Sequence, residues 1–231
     1  MTVMEAWTQI AFQYRDDDGT EVTATDRQAV NTNDTLELDT NYRMRIGVQG
    51  AHTGGAGSFD LTPAFQYNVD AAGWVNITTT SDNVRAVGSG NFTDDDVTTE
   101  QLAQSQTFVA GHMDDDGSTT AVSISETGES EFEICFQLRS ADLSGGEAVE
   151  IRIVDSGVAF DTYTQTPSIT TAGAAVNIDW YRQAPEPVRP LPPTLFEVVI
   201  DPVALTLVPP PPPVEENRLI GMVYSMSPSR V

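Results

Sequence analysis

The sequence predicts an all-β fold: an antiparallel β-sandwich, of jelly-roll or immunoglobulin-like type, followed by an extended proline-rich arm at the C-terminus. Three observations support this prediction. Apolar and polar residues alternate with a period of two, glycine-containing turn pairs separate the alternating segments, and the composition changes at residue 183. We therefore divide the chain into a body, residues 1–182, and an arm, residues 183–231.

Alternating side chains predict the strands of the body. In residues 129–139, the even-numbered positions from 132 to 138 are apolar and would face a core, whereas Glu129, Glu131 and Glu133 face the other way. This pattern is typical of a strand whose polar face lies in solvent. Similar patterns predict strands at residues 10–14, 42–48, 65–69, 74–79, 84–87, 119–125, 149–154, 161–166 and 176–180.

Turn and helix signals complete the local prediction. The dipeptides that end in Gly19, Gly73, Gly117 and Gly146 supply the residues that tight hairpin turns require. The best helical signal is at residues 98–104, where threonines precede Glu, Gln and Leu in a capping-like order. The sequence therefore predicts at most one short helix.

Charge and cysteine content exclude several classes of protein. The chain has 34 acidic residues and 11 basic ones, all arginine, and the body alone has 29 acidic residues and 8 arginines. This negative body would repel a nucleic-acid backbone, so we expect no direct nucleic-acid binding. The single cysteine, Cys135, excludes an internal disulfide, and the amino terminus does not resemble a signal peptide. No apolar run reaches the roughly 20 residues of a membrane span. We expect a soluble protein made in the cytoplasm, without a membrane partner.

The arm combines stiffness with apolar side chains. It contains twelve of the fourteen prolines, including the run at residues 209–213, which favours polyproline II. Apolar clusters at residues 195–200, 203–208 and 219–224 would be unfavourable in water, and an extended segment can add to the sheet of another chain. We expect the arm to bind a partner subunit. The predicted contact residues are Leu195, Phe196, Val198, Ile200, Val203, Leu205, Leu207, Pro209, Pro211, Pro213, Leu219, Ile220, Met222 and Tyr224.

Runs of aspartate raise the hypothesis of a calcium site. Residues 16–18, 94–96 and 114–116 are each three consecutive aspartates, and Ca²⁺ prefers several carboxylate ligands. Their spacing does not match a known calcium loop, however, and an Asp-Gly pair between strands is already typical of a solvated turn. His52 and His112 have no partner at a metal-ligand spacing. We therefore predict no metal and no cofactor.

Catalytic motifs are lacking as well. The sequence contains no nucleophile elbow, no phosphate-binding loop and no cysteine cluster. Glutamates two apart, such as Glu131 and Glu133, could resemble a glycosidase pair, but the alternating pattern favours a solvent-facing strand. Cys135 is predicted to be packed rather than reactive. The prediction is that the protein is not an enzyme and has no catalytic residue.

One resemblance adds to this interpretation. Residues 74–117 combine a tryptophan-containing hairpin, a Thr- and Ser-rich strand, the segment TDDDVTTEQL, FVAG and an acidic-glycine turn. Together with AFQYRDDDGTE, EFEICFQL and DTYTQTPSIT, this combination resembles a family of β-rich proteins encoded by tailed bacteriophages and prophages. The resemblance covers residues 5–171 and not the arm. It implies a structural protein of the virion, with no catalytic residue to carry over.

These observations lead to one functional hypothesis and two alternatives. The hypothesis is a capsid decoration or cement protein, assembled into the virion in the host cytoplasm. Its arm would dock on the major capsid protein or other virion subunits, and we expect a homo-oligomer in the particle. One alternative is a tail or fibre component, which would form oligomers in solution. The other is a carbohydrate-binding module that stacks sugars on Trp7, Trp74 or Trp180, although core packing is the usual role of tryptophan.

Overall fold

The computed structural model describes residues 5–51, 57–102 and 105–173, and these residues form fourteen β-strands and no helix. The predicted boundary at residue 183, the predicted strand at residues 176–180 and all the predicted contact residues of the arm lie outside the described residues. The strands are β1 (Trp7–Asp16), β2 (Asp34–Leu36), β3 (Asn41–Gly50), β4 (Ser58–Leu61), β5 (Pro63–Val69), β6 (Val75–Asn76), β7 (Val84–Ala86), β8 (Thr107–Asp114), β9 (Val122–Ser125), β10 (Gly128–Leu138), β11 (Ala148–Asp155), β12 (Val158–Ala159), β13 (Thr162–Tyr163) and β14 (Ser168–Thr171).

The strands form two six-stranded sheets and one separate pair. The first sheet has the order β13-β1-β3-β10-β7, and β8 also pairs with β10. The second has the order β2-β14-β11-β5-β6, with β12 paired to β11, while β4 and β9 pair with each other. Both six-stranded sheets contribute side chains to one hydrophobic core, for example Met44 and Phe136 from the first and Phe65 and Ile151 from the second. The all-β prediction is thus confirmed for the described residues.

The sheets are mixed, so the prediction of purely antiparallel strands is wrong. β1 pairs with β13, β8 with β10 and β14 with β2 in parallel, and the other strand pairs are antiparallel. Parallel neighbours need long connections instead of tight turns. Glycine-containing dipeptides mark only the tight turns that connect antiparallel strands. The sequence therefore did not predict the three parallel strand pairs.

Most predicted strands of the body are present, and some are shorter than expected. The strand predicted at residues 74–79 is reduced to β6, and the one predicted at residues 161–166 is reduced to β13. The sequence did not predict β8, although this strand is eight residues long. Positive φ angles of 125°, 88° and 92° at Gly73, Gly117 and Gly146 confirm three of the predicted turns.

The helix predicted at residues 98–104 is wrong for its described part, residues 98–102. The backbone N–H of Thr98 donates to the carbonyl of Gly111 at 3.0 Å, which joins this segment to β8. The Thr98 hydroxyl donates to the carbonyl of Glu131 at 2.7 Å instead of capping a helix. Tertiary hydrogen bonds therefore override a weak capping signal. Since the described residues include no helix, no helical membrane span occurs among them.

Candidate functional site

The polar face of the first sheet is buried. Arg15 of β1, Arg43 and Arg45 of β3, and Glu131 and Glu133 of β10 are each at most 2% exposed. The register places Glu133 opposite Arg45 and Arg43 opposite Arg15, so these side chains share one face. The prediction that the glutamates of β10 face solvent is therefore wrong, and Glu129, with 2% exposure, is buried as well.

Glu133 lies among three arginines. Its carboxylate oxygens are 2.6 Å from Nε of Arg45, 3.1 Å from Nη1 of Arg15 and 3.3 Å from Nη1 of Arg43. Glu131 pairs with Nη1 of Arg45 at 2.9 Å. We call these five residues the ionic cluster. Desolvating so many charges is costly, but within the cluster every carboxylate has a cation next to it.

Two loops cover the ionic cluster and bond to it. In the loop that follows β1, the carbonyl of Glu21 accepts a hydrogen bond from Nη1 of Arg15 at 2.7 Å. In the loop that precedes β8, the carbonyl of Thr99 accepts one from Nη1 of Arg45 at 2.8 Å. The carboxylate of Glu131 accepts the backbone N–H groups of residues 101 and 102. The cluster therefore fixes both loops to the sheet.

Glu21 connects the two loops. Its side chain accepts hydrogen bonds from Arg45 and from the backbone N–H of Thr99, the latter at 2.9 Å. Burial raises the pKa of Glu21, but these hydrogen bonds outweigh burial and the net pKa is lowered. For Arg45, burial acts to lower the pKa, yet the charge of Glu133 and the bond to Glu21 raise it, so Arg45 stays protonated.

Two of the three aspartate runs meet at the end of β8. One carboxylate oxygen from each of Asp94, Asp114 and Asp116 lies within 4.8 Å of the others, and we call this group the aspartate cluster. Backbone hydrogen bonds hold the two runs together: Asp95 N–H donates to Met113 at 2.9 Å, and Met113 N–H donates to Asp96 at 2.8 Å. Spacing along the sequence gave no indication that the two runs would meet.

The third run has other partners. Asp17 pairs with Nε of Arg43 at 3.4 Å and accepts a hydrogen bond from the Ser89 hydroxyl at 2.7 Å. Asp18 accepts hydrogen bonds from the backbone N–H and the hydroxyl of Thr25, at 2.8 Å and 2.7 Å. Asp16 ends β1 and pairs with Arg27 at 2.7 Å, and Asp17 and Asp18 are structural residues of the loop that follows.

In the aspartate cluster, burial and the neighbouring carboxylates disfavour the charged form of Asp114. Asp114 is 1% exposed, whereas Asp94 is half-buried and Asp116 is exposed. Burial, together with the charges of Asp94 and Asp116, raises the pKa of Asp114 to about 6, although hydrogen bonds from the backbone N–H groups of Gly117 and Asp116 oppose the increase. Burial also raises the pKa of Asp94.

The remaining predicted site residues lie apart from these clusters. Trp7 is 3% exposed and belongs to the core, while the guanidinium of Arg152 lies 4.0 Å above the ring of Trp74. Trp180 and His52 lie outside the described residues. His112 of β8 has its Nδ1 2.9 Å from the carbonyl of Asp95. Cys135 is buried, as predicted, and burial raises its thiol pKa.

Small surface cavities also occur. One, of about 260 Å³, is lined by Asn68, Asp70, Ala71, Ala148, Glu150 and Ser168. Within it, the amide of Asn68 donates to Glu150 at 3.2 Å, and Oδ1 of Asp70 accepts the backbone N–H of Ala148 at 3.0 Å. These polar groups are therefore partly used in bonding neighbouring strands to one another.

Comparison with known proteins assigns no identity. No model of a protein family matches the sequence, and a comparison with curated proteins finds no match. Any function proposed for this chain therefore has to follow from its own residues.

Proposed function

We propose that this chain is a structural protein of a tailed-phage virion, acting as a capsid decoration protein. In this proposal the two six-stranded sheets pack as a β-sandwich of jelly-roll or immunoglobulin-like type that faces solvent. The arm, residues 183–231, attaches the body to the major capsid protein or to other virion subunits. Several copies bind in one particle, which is assembled in the host cytoplasm.

The observation that carries the proposal is the unequal distribution of apolar residues. Among the described residues, the exposed large apolar side chains are only valines, namely Val22, Val30, Val75, Val97 and Val158. The arm, by contrast, contains apolar clusters at residues 195–200, 203–208 and 219–224. Apolar surface drives most protein association, so the arm is the better candidate for attachment.

The charge of the body supports a solvent-facing position. The body has 29 acidic residues and 8 arginines, and three of those arginines are buried in the ionic cluster. Four acidic residues, Asp114, Glu129, Glu131 and Glu133, are buried as well, so the outer surface keeps the strongly negative charge of the body. Such a surface resists non-specific association, and adjacent bodies on a shell would repel each other unless an attachment segment held them in place.

The ionic cluster supports a structural role in preference to a catalytic one. Glu131 and Glu133 are covered by loops and paired with arginines, so they lack the open access to substrate that a glycosidase pair needs. The loops over this face are fixed by several hydrogen bonds. A rigid body of this kind suits a protein that must persist on a particle surface.

The first test of the proposal is location. We expect the full chain to be present in virus particles purified from the organism that carries this sequence, in several copies per particle, as measured by quantitative mass spectrometry. Absence from the particles would overturn the proposal. Localisation to the tail by electron microscopy would favour the alternative of a tail or fibre component.

The second test addresses the arm. Replacing Leu205 and Leu207 by aspartate in the full chain should reduce co-sedimentation with particles by at least about tenfold, since apolar contact area is lost. Thr206→Asp is the control. Thr206 lies between the two leucines and alternates with them along the arm, so this variant should retain most of the binding. If the wild type, the double leucine variant and the Thr206→Asp control bound particles equally, attachment through the arm would be contradicted.

A further inference from the structure

The second sheet has a polar outer face that differs from the polar face of the first sheet. β5 and β11 pair with Gln66 opposite Arg152 and Asn68 opposite Glu150. The residues that alternate with these four contribute to the hydrophobic core, so the four side chains share the face that points away from it. Glu150 and Arg152 are half-buried and reach solvent, whereas two loops cover the ionic cluster on the first sheet. The outer face of the second sheet is therefore accessible at these residues.

Arg152 is held against an aromatic ring on this outer face. Its guanidinium lies 4.0 Å above the ring of Trp74, which is half-buried. Its Nε and Nη2 atoms both donate to Oε1 of Gln66, at 3.0 Å and 2.7 Å, and Gln66 in turn donates to Asn76 at 2.8 Å. Because these contacts already order the side chains, a ligand that binds here loses little affinity to side-chain entropy.

The cavity of about 260 Å³ extends this outer face toward β14. Asn68 and Glu150 line the cavity, and Arg152 lies two residues beyond Glu150 on β11, about 7 Å along the strand. The backbone N–H of Gly73 donates to Oδ1 of Asn68 at 2.8 Å, which fixes the residue before Trp74 beside the cavity lining. The cavity and the aromatic ring thus belong to one continuous surface.

This surface keeps polar atoms that form no hydrogen bond with the described residues. They are Nη1 of Arg152 and Nε1 of Trp74, which donate, Oε1 of Glu150 and Oδ2 of Asp70, which accept, and Oγ of Ser168, which can do both. A ligand that matches this set must both donate and accept hydrogen bonds at neighbouring positions. Hydroxyl groups do both, and an indole ring offers apolar surface to C–H groups.

Charge complementarity favours a neutral ligand. The body has 29 acidic residues and 8 arginines, and this surface offers Arg152 against the carboxylates of Glu150 and Asp70. An anionic polymer would therefore be repelled. The apolar residues that line the cavity are Ala71 and Ala148, which are too small to supply the large apolar anchors of a protein interface.

We propose that the outer face of the second sheet binds a neutral oligosaccharide. One sugar contacts the ring of Trp74 and bonds to Arg152 and Glu150 through its hydroxyl groups, and a neighbouring sugar occupies the cavity. Trp7 takes no part in this site because it belongs to the core. The binding goes beyond the proposed role in a capsid and requires neither the arm nor a particle.

The test is affinity electrophoresis of the full chain in native gels that each contain one polysaccharide. The probes are the neutral polysaccharides dextran, galactomannan and xyloglucan, and the anionic polygalacturonate. We expect at least one neutral polysaccharide to retard the protein relative to a gel without polysaccharide, and polygalacturonate to leave its migration unchanged. The proposal would be overturned by a lack of retardation in all three neutral gels, or by retardation in polygalacturonate as strong as in a neutral gel.

Variants separate binding at this face from adsorption elsewhere on the protein. Trp74→Ala should weaken binding at least about tenfold, because the aromatic contact is lost. Ser168→Ala removes a hydroxyl that has no partner among the described residues, so it should keep the unfolding temperature of the wild type and weaken binding about fivefold. Val75→Ala is the control, since Val75 is 48% exposed and follows Trp74 on the opposite face of the chain. Equal retardation of the wild type and these three variants would contradict the site.

Discussion

Glu133 and Asp114 are both carboxylates that the fold removes almost completely from water, yet their surroundings carry opposite charge. Glu133 lies at the centre of the first sheet, within 3.3 Å of nitrogen atoms of three arginines. Asp114 lies at the end of β8, beside Asp94 and Asp116. The comparison shows that burial alone does not determine the state of a carboxylate in this protein, because the neighbouring charges differ in sign.

The two sites also differ in what they hold together. The ionic cluster fixes two covering loops to the sheet through arginine side chains, so its counterions are part of the chain. The aspartate cluster brings together carboxylates of a loop and a turn that repel each other, and among the described residues no arginine forms an ion pair with them. We expect neutralisation of a carboxylate to destabilise the protein at the first site and to stabilise it at the second.

The largest effect is expected from removing a cation of the ionic cluster. Arg45→Met leaves Glu131 and Glu133 buried with less compensation and should lower the free energy of unfolding by about 3–5 kcal/mol. Urea unfolding measures this change. Arg85→Met is the control, because Arg85 is only half-buried and donates to the carbonyl of Ser81, and it should cost about 1 kcal/mol or less. If both variants lost the same unfolding free energy, the ionic cluster would contribute no more to stability than a half-buried arginine outside it.

Gly111 tests the packing of β8, the strand that ends at Asp114, against β10. A Cβ at this position would lie 2.1 Å from the carbonyl oxygen of Glu131, so Gly111→Ala must displace β8 from β10. We expect a loss of about 3 kcal/mol in unfolding free energy. Gly88→Ala, where a Cβ would meet nothing within 4 Å, is the control and should have little effect. If Gly111→Ala were as stable as its control, the close packing of β8 on β10 would be wrong.

A smaller effect concerns pH and Glu21. Because the pKa of Glu21 is lowered in the folded state, its charge stabilises the protein above the unfolded pKa of about 4.3, and this contribution disappears as pH falls through the folded value. Glu21→Gln should therefore cost about 1 kcal/mol at pH 7 and much less at pH 3. Glu126→Gln, at an exposed glutamate, should show no such difference. An unchanged cost of Glu21→Gln at both pH values would contradict the assignment.

Much of the fold could be predicted from the sequence, because alternation with a period of two is a direct consequence of strand geometry. The long strands β1, β3, β5, β10 and β11 all carry such alternation. The parallel pairs could not be predicted, since no local signal specifies which distant strand becomes a neighbour.

The buried ionic cluster was missed for a related reason. The alternating glutamates of β10 are identical in pattern to those of a solvent-facing strand, and only the covering loops distinguish the two. One signal was available. Arg43 and Arg45 alternate on β3 with the same spacing as Glu131 and Glu133 on β10. The register places Arg45 opposite Glu133, and opposite charges on paired strands favour an ionic contact. Conversely, the aspartate cluster depends on a loop-to-strand contact that spacing along the chain cannot reveal.

The most direct test of the comparison is the effect of neutralising each carboxylate, measured as unfolding free energy at pH 7. Glu133→Gln should destabilise the protein, because it leaves buried arginines without the charge that compensates them. Asp114→Asn should stabilise it by about 1–2 kcal/mol, because it removes a charge that burial and the neighbouring carboxylates disfavour. If both changes in unfolding free energy had the same sign, the difference between the two sites would be contradicted.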